Sequence, residues 1–218
     1  MKNVSPVFIS MPLLGPSVRR PAGGFPAAGT RNLGMWPQGT ATLPRLNPFL
    51  RIRTGMRPPS IRERLASLDL ELPPPPAPKG AYLPVVIEGN LAIVSGMLPL
   101  EDGRLVAEGL VDGEVDLSTG TRAARWCALN GLSALEQALG SLDRIRRILR
   151  VGVFVASSPT FVRQPEVANG ASDLLLSVFG GDGPHARTSV STGRLPLNSP
   201  VEVEMWVSLR PPPSSPPE

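Results

Sequence analysis

The chain holds one cysteine, one histidine and one tyrosine in 218 residues, and each shortage removes a class of chemistry. With Cys127 alone no intrachain disulfide can form, which suits a reducing compartment. A structural zinc site takes about four Cys or His ligands, and Cys127 with His185 cannot supply them from one protomer. A Cys-His or Ser-His-Asp nucleophile would have to run through His185, and nothing around it is spaced like a nucleophile elbow. Apolar runs stop well short of the ~20 residues of a membrane-spanning helix, so no membrane association is expected. Acid, too, is missing from residues 1–62, a stretch that carries nine of the 22 Lys and Arg.

That last absence divides the chain. Its formal charge is +4, yet from Glu63 onward 13 basic residues face 18 acidic ones, a net −5. The sequence pI of 10.2 therefore belongs to the front segment. The net-negative remainder gives no electrostatic reason to expect a nucleic-acid platform, since phosphate binding is carried mainly by clustered Lys and Arg, so nucleic acid is not an expected partner. Residues 1–59 are rich in proline and arginine and show no sustained apolar period, which predicts a disordered extension. Two other accounts of it stay open. Its acid-free composition is that of an organelle transit peptide, although its prolines block the amphipathic helix such peptides form. Alternatively the native start is internal, at Met35 or Met56. The run Val7–Leu14 is cut by Pro12 and makes a poor secretory core.

Residues 60–79 predict a short helix and a stiff connector. Ser60-Ile61-Arg62-Glu63 is a capping-box pattern, Ile61, Leu65 and Leu68 recur at helical spacing, and Pro73–Pro76 with Pro78 favours extended chain. Residues 80–210 form the expected domain, and residues 211–218 a disordered tail. Within the domain Ala81–Glu88 reads as a strand, Gly89-Asn90 as a turn and Leu91–Leu98 as the hairpin partner. Long helices are expected over Ser118–Leu139, with Ala124, Cys127, Leu132, Leu135 and Leu139 on one stripe, and over Pro165–Phe179. Leu91–Leu98 and Val151–Ala156 are apolar on both faces and must be covered on both. Two helices cover one face of a four- or five-stranded sheet, and another copy of the chain is the simplest cover for the other. The order β-β-α-β-α-β-β is that of an α+β layer fold.

In the stretch His185–Val207 two β-prone runs flank a turn marked by Pro196, Asn198, Ser199 and Pro200, which predicts a hairpin-like pair. Val201, Val203, Met205 and Val207 alternate with Glu202, Glu204 and Trp206, and Arg187 stands at the mouth of the first run. A guanidinium and a carboxylate are thus expected to line one cleft. The competing account is a solvated cross-strand ion pair of Arg187 with Glu202 or Glu204, worth about 0–1 kcal/mol. By the same standard Tyr82 packs at a strand edge, Ser95 beside Gly96 marks a bulge, and Asn169 bonds locally in its helix. Cys127 and Trp126 read as core or interface, and His185 as a loop residue or the rim of a pocket.

Several separated motifs add a family resemblance. Gly80-Ala81-Tyr82, Val94-Ser95-Gly96-Met97-Leu98-Pro99, Val167-Ala168-Asn169-Gly170, Ala186-Arg187, Arg194-Leu195-Pro196 and Val201-Glu202-Val203-Glu204 resemble, in order and nearly in spacing, those of the RidA/YjgF family. This family is also called endoribonuclease L-PSP-like, and the likeness runs over about residues 63–209. The resemblance implies a bacillus-type chorismate-mutase-like fold: a mixed β-sheet with two helices on one face and the other face buried in a homotrimer. It implies a cytoplasmic, cofactor-free enzyme that hydrolyses reactive 2-imino or enamine acids to 2-oxo acids and ammonia in clefts between subunits. Arg187 would grip the substrate carboxylate and Glu202 orient or deprotonate the water, the two catalytic assignments. Tyr82, Ser95, Gly96, Asn169 and Ser189 would bind substrate, with Ser189 standing where many relatives carry a cysteine. Members described as ribonucleases or ligand binders leave two alternatives, an endoribonuclease or RNA-binding protein and a non-catalytic trimer that binds small carboxylates.

Overall fold

Burial alternates residue by residue along Val201–Leu209, with Val201, Val203, Met205, Val207 and Leu209 inside, and a five-stranded sheet is assembled around this segment. The structure is a computed structural model that describes residues 57–75 and 80–211. The expectations for residues 1–56, for Pro76 and Pro78 and for the tail from 212 lie outside the described residues. In chain order the strands are β1 (Val85–Glu88), β2 (Leu91–Met97), β3 (Leu100–Glu101), β4 (Arg104–Leu105), β5 (Ile145–Ala156), β6 (Ala186–Thr192) and β7 (Val201–Leu209). The main sheet runs β1-β2-β7-β5-β6, while β3 and β4 form a separate two-stranded hairpin. All main-sheet neighbours are antiparallel except β5 and β6.

Three helices join these strands: α1 (Ile61–Ser67), α2 (Leu117–Leu139) and α3 (Gln164–Phe179). Asp116 caps α2 by accepting the Thr119 N–H at 2.7 Å, and Gly140 ends it in the left-handed region at φ 76°. The whole predicted stripe Ala124, Cys127, Leu132, Leu135 and Leu139 is buried. It packs with Val167, Leu174 and Val178 of α3 and the inward valines of β5 and β7 into one core. The buried Asn130 amide donates to the Leu100 carbonyl at 2.9 Å, tying α2 to the start of β3. Among the described residues no helix is long and apolar enough to cross a membrane.

α1 has the expected capping box. The Ser60 hydroxyl accepts the Glu63 N–H at 3.2 Å and the Glu63 carboxylate accepts the Ser60 N–H at 2.6 Å. Ile61 and Leu65 are buried, but Leu68 is the C-cap and 40% exposed, so the apolar period stops one turn early. Ser60→Ala should lower stability by about 1 kcal/mol, read as a lower urea midpoint with an unchanged m-value.

Three expectations are corrected. β1 begins only at Val85, and residues 80–82 form a bend. β5 starts six residues before Val151, because register shifts at Ile145/Arg147 and Ile148/Arg150 break the alternation that marks a strand in sequence. Finally, β6 and β7 do not form a hairpin: β5 lies between them, with Val151 registered to Arg187 on one side and to Met205 on the other. Residues 193–200 are long enough to cross the end of β5, a step of about 10 Å between second neighbours. Backbone bonds from Ala156 N–H to Pro200 O (2.9 Å) and Ser157 N–H to Thr192 O (3.3 Å) secure that crossing.

The helices cover one face of the sheet. By register Val86, Ile93, Phe154, Val190 and Trp206 lie on the other. Val86, Val190 and Trp206 are 48%, 42% and 39% exposed. They share that face with Arg150, Glu202 and Glu204.

Candidate functional site

Arg187 stands on the edge strand β6 opposite Val151, which faces the helices, so its side chain turns toward α3. There Nη1 donates to Asn169 Oδ1 at 2.9 Å and to Ser172 Oγ at 3.0 Å. Asn169 and Ser172 are three residues apart and therefore share one face of α3. The helix is held by a close approach to α2 at Gly170, where any β carbon would run into the Thr121 carbonyl. Ser172 Oγ also lies 3.0 Å from His185 Nε2, and His185 Nδ1 lies 2.7 Å from the Gly183 carbonyl. Ser189 registers with Val153, which places it on the same side of the sheet as Arg187, half-buried.

A second cluster lies on the open face. Val94 pairs with Met205 and Met97 with Val203, so Ser95 and Gly96 both oppose Glu204 and β2 carries a bulge. The bulge brings Gly96 directly under the Glu202 carboxylate, which would collide with any β carbon there. Only glycine fits. The Ser95 hydroxyl donates to the Leu83 carbonyl at 2.8 Å and its N–H to Pro84 O at 2.9 Å, fastening the segment that carries Tyr82 beside β2. Tyr82 itself is 51% exposed.

Burial, and then the neighbouring Glu204 charge, push the Glu202 carboxyl above its ordinary range. Glu204 is neutralised by Arg150 at 2.5 Å, which in turn stacks over the Trp206 ring at 5.8 Å. Glu202 has no cation beside it among the described residues. The ion pair of Arg187 with either glutamate is therefore not formed. Nor do Arg187 and Glu202 line one cleft within a protomer, as the strand reading expected. Their partners on β5 are Val151 and Phe154, an odd number of residues apart, so the two side chains leave the sheet on opposite faces.

Cys127 is buried beneath β7, its thiol 3.5 Å from the Val201 carbonyl. Desolvation first, and the Glu202 charge second, push this thiol well above its ordinary pKa, so it packs rather than reacts. A groove of about 930 Å³ between α1, Leu70–Pro75 and α2 is lined by Leu65, Leu70, Leu72, Ser133 and Glu136, away from both clusters. Sequence reading passed over Ser172. Its spacing from Asn169 was the available signal, and serine on a helix carries too many other meanings to be singled out.

Known proteins are similar to this chain over the folded region. Residues 62–209 match the family model described as "YjgF/chorismate_mutase-like, putative endoribonuclease". The chain is 43% identical over 150 residues to Protein TCP17 of Trypanosoma cruzi, covering 68% of this chain and 94% of that one. Among solved structures it is similar to Atu1372 of Agrobacterium tumefaciens, a protein of unknown function, at 43% identity and a TM-score of 0.65, covering 69% of this chain and 92% of that one. A "putative endoribonuclease" of Shewanella oneidensis MR-1 is similar at 34% identity and a TM-score of 0.67, covering 69% of this chain and all of that one (100%).

Proposed function

This chain belongs to the YjgF/chorismate mutase-like family and has its α+β fold, and on that footing we propose that it hydrolyses 2-imino or enamine acids to 2-oxo acids and ammonia. The observation that carries the reading is the setting of Arg187. Its Nη1 is held by two neutral oxygens, Asn169 Oδ1 and Ser172 Oγ, so the positive charge is positioned but not neutralised. A planar carboxylate is its natural complement, gripped through two parallel hydrogen bonds.

With the carboxylate so held, the adjacent imine carbon is fixed and already electrophilic, and positioning supplies much of the catalysis. Glu202 takes a proton from water as its oxygen bonds to that carbon, and the nitrogen gains a proton. Glu202 then hands its proton to the carbinolamine nitrogen as the hydroxyl proton passes to water, the C–N bond breaks, and the 2-oxo acid and ammonia leave. A carboxyl raised toward neutrality suits such two-way proton transfer. Gly96 adjoins Glu202, and its amide, Ser95 and Tyr82 would hold substrate or water, while Ser189 offers a hydroxyl on the Arg187 side. Neither metal nor organic cofactor enters these steps.

The two clusters leave one sheet on opposite faces, so one ligand meets both only when the edge strand of one copy approaches the open face of another. A homotrimer, with one pocket at each junction, answers that need and covers Val86, Val190 and Trp206. A cytoplasmic setting accords with the lone buried thiol. Ribonuclease action has less support: the chain from Glu63 onward is net −5, and Glu202 and Glu204 share the open face.

The test is ammonia release from freshly generated 2-iminopropanoate or 2-iminobutanoate, measured against spontaneous hydrolysis. No acceleration by the protein would end the enzymatic reading. Glu202→Gln should lower the rate about 100-fold, the scale of a lost general base. The same variant has a stability signature. A carboxyl whose folded pKa exceeds its unfolded one takes up a proton on folding between the two values, so its ionisation lowers stability as pH rises through the folded value. Glu202→Gln should therefore be more stable than wild type at neutral pH, with the gap closing below about pH 4. Urea midpoints at the two pH values decide it.

A further inference from the structure

We infer that Ser172 and His185 form a directed hydrogen-bond relay that presents the bidentate edge of the Arg187 guanidinium to a carboxylate, an inference that rests on the carboxylate-gripping role proposed for Arg187. The direction is set from one end. A carbonyl oxygen only accepts, so the 2.7 Å contact between Gly183 O and His185 Nδ1 places a hydrogen on Nδ1. In the neutral ring Nε2 is then an acceptor, and Ser172 Oγ, 3.0 Å away, donates to it. With its one hydrogen committed to the imidazole, the Ser172 oxygen presents lone pairs to Arg187 Nη1 at 3.0 Å. Asn169 Oδ1 takes the other Nη1 hydrogen at 2.9 Å.

Both Nη1 hydrogens are thereby used. Among the described residues Arg187 Nε and Nη2 have no partner, and these two nitrogens share one edge of the planar group. That edge is a fork matched to two carboxylate oxygens. Each member of the relay sits on a different support: Ser172 is 7% exposed on α3, His185 precedes β6, and Gly183 closes the turn after α3. The loop Gly180–Pro184 is thus read out at the guanidinium, and the only histidine in the chain acquires a task. Ser172 and His185 are positioning residues, since neither is asked to touch the substrate.

The lone histidine makes the test direct. In the ¹⁵N-labelled full chain, long-range ¹H–¹⁵N correlation at a pH where the ring is neutral should show the Nδ1–H tautomer. The Nε2–H tautomer would overturn the relay. Binding of 2-oxobutanoate, followed by titration calorimetry, supplies the second readout. Ser172→Ala and His185→Ala should weaken it roughly tenfold, the scale of one lost hydrogen bond to a charged group. Ser172→Thr and His185→Gln, which keep a hydroxyl and an acceptor at the Nε2 position, should stay within about twofold. Equal binding by all four variants would overturn the proposal. If either alanine variant fails to fold, the wild-type tautomer still decides. Failure of the wild type to bind 2-oxobutanoate would instead sink the carboxylate role of Arg187, leaving the relay to stand or fall on the tautomer.

Discussion

Arg187→Ala is expected to cost imine hydrolysis at least about thirtyfold while the protein stays folded. Removing the charged partner of a bound carboxylate typically forfeits about 2–5 kcal/mol, which is roughly thirty- to several-thousand-fold in kcat/KM. The fold is spared because Arg187 is exposed on an edge strand and its two bonds go to neutral side chains. Losing these two bonds, the one to Ser172 part-buried, should cost about 1–3 kcal/mol, less than the stability of a typical domain. Arg187→Lys keeps the charge and loses the fork, so it should fall between wild type and alanine rather than beside wild type. The measurements are kcat/KM on 2-iminobutanoate and a thermal melt followed by circular dichroism. Turnover by folded Arg187→Ala equal to that of wild type would remove Arg187 from the mechanism.

Gly170→Ala should be the most damaging conservative change in the domain. In an exposed helix alanine would be favoured over glycine by about 1 kcal/mol. Here the added carbon meets backbone: the Thr121 carbonyl oxygen inside contact distance, its carbon at 2.9 Å and the Arg125 nitrogen at 3.2 Å. Backbone atoms cannot rotate aside, so α2 and α3 must separate, and the overpacking cost of about 1–3 kcal/mol outweighs the propensity gain. Because Asn169 and Ser172 flank this contact, separation also displaces the two acceptors of Arg187. Activity should fall further than stability alone explains. Gly193→Ala is the control, since nothing lies within 4 Å of its added carbon and it lies outside the loop that reaches His185. Urea midpoints and kcat/KM for both variants, measured together, test the coupling; equal values for the two would refute it.

What the amino-acid sequence by itself determined were the features whose cause is local. α2 and α3 begin within a residue of their expected starts and end where expected, because caps, glycine stops and a 3.6-residue apolar period are written into neighbouring positions. The alternation of valine and glutamate along β7 likewise marks which residues face the core. The Ser60 capping box and the bulge at Ser95-Gly96 were legible for the same reason.

Tertiary structure alone decided who stands next to whom. Nothing in residues 185–207 says that β5 inserts between β6 and β7, since strand order depends on long-range pairing that leaves no trace in the connecting turn. Two bulges hid the first half of β5, because each displaces the alternation by one residue without any distinctive composition. The separation of Arg187 from Glu202 onto opposite faces follows from that insertion and from parity along β5. The meeting of Ser172 and His185 at the same guanidinium needed α3, its following turn and β6 to converge. Side-chain chemistry is encoded one residue at a time, whereas the geometry that makes a site of it belongs to the packed chain.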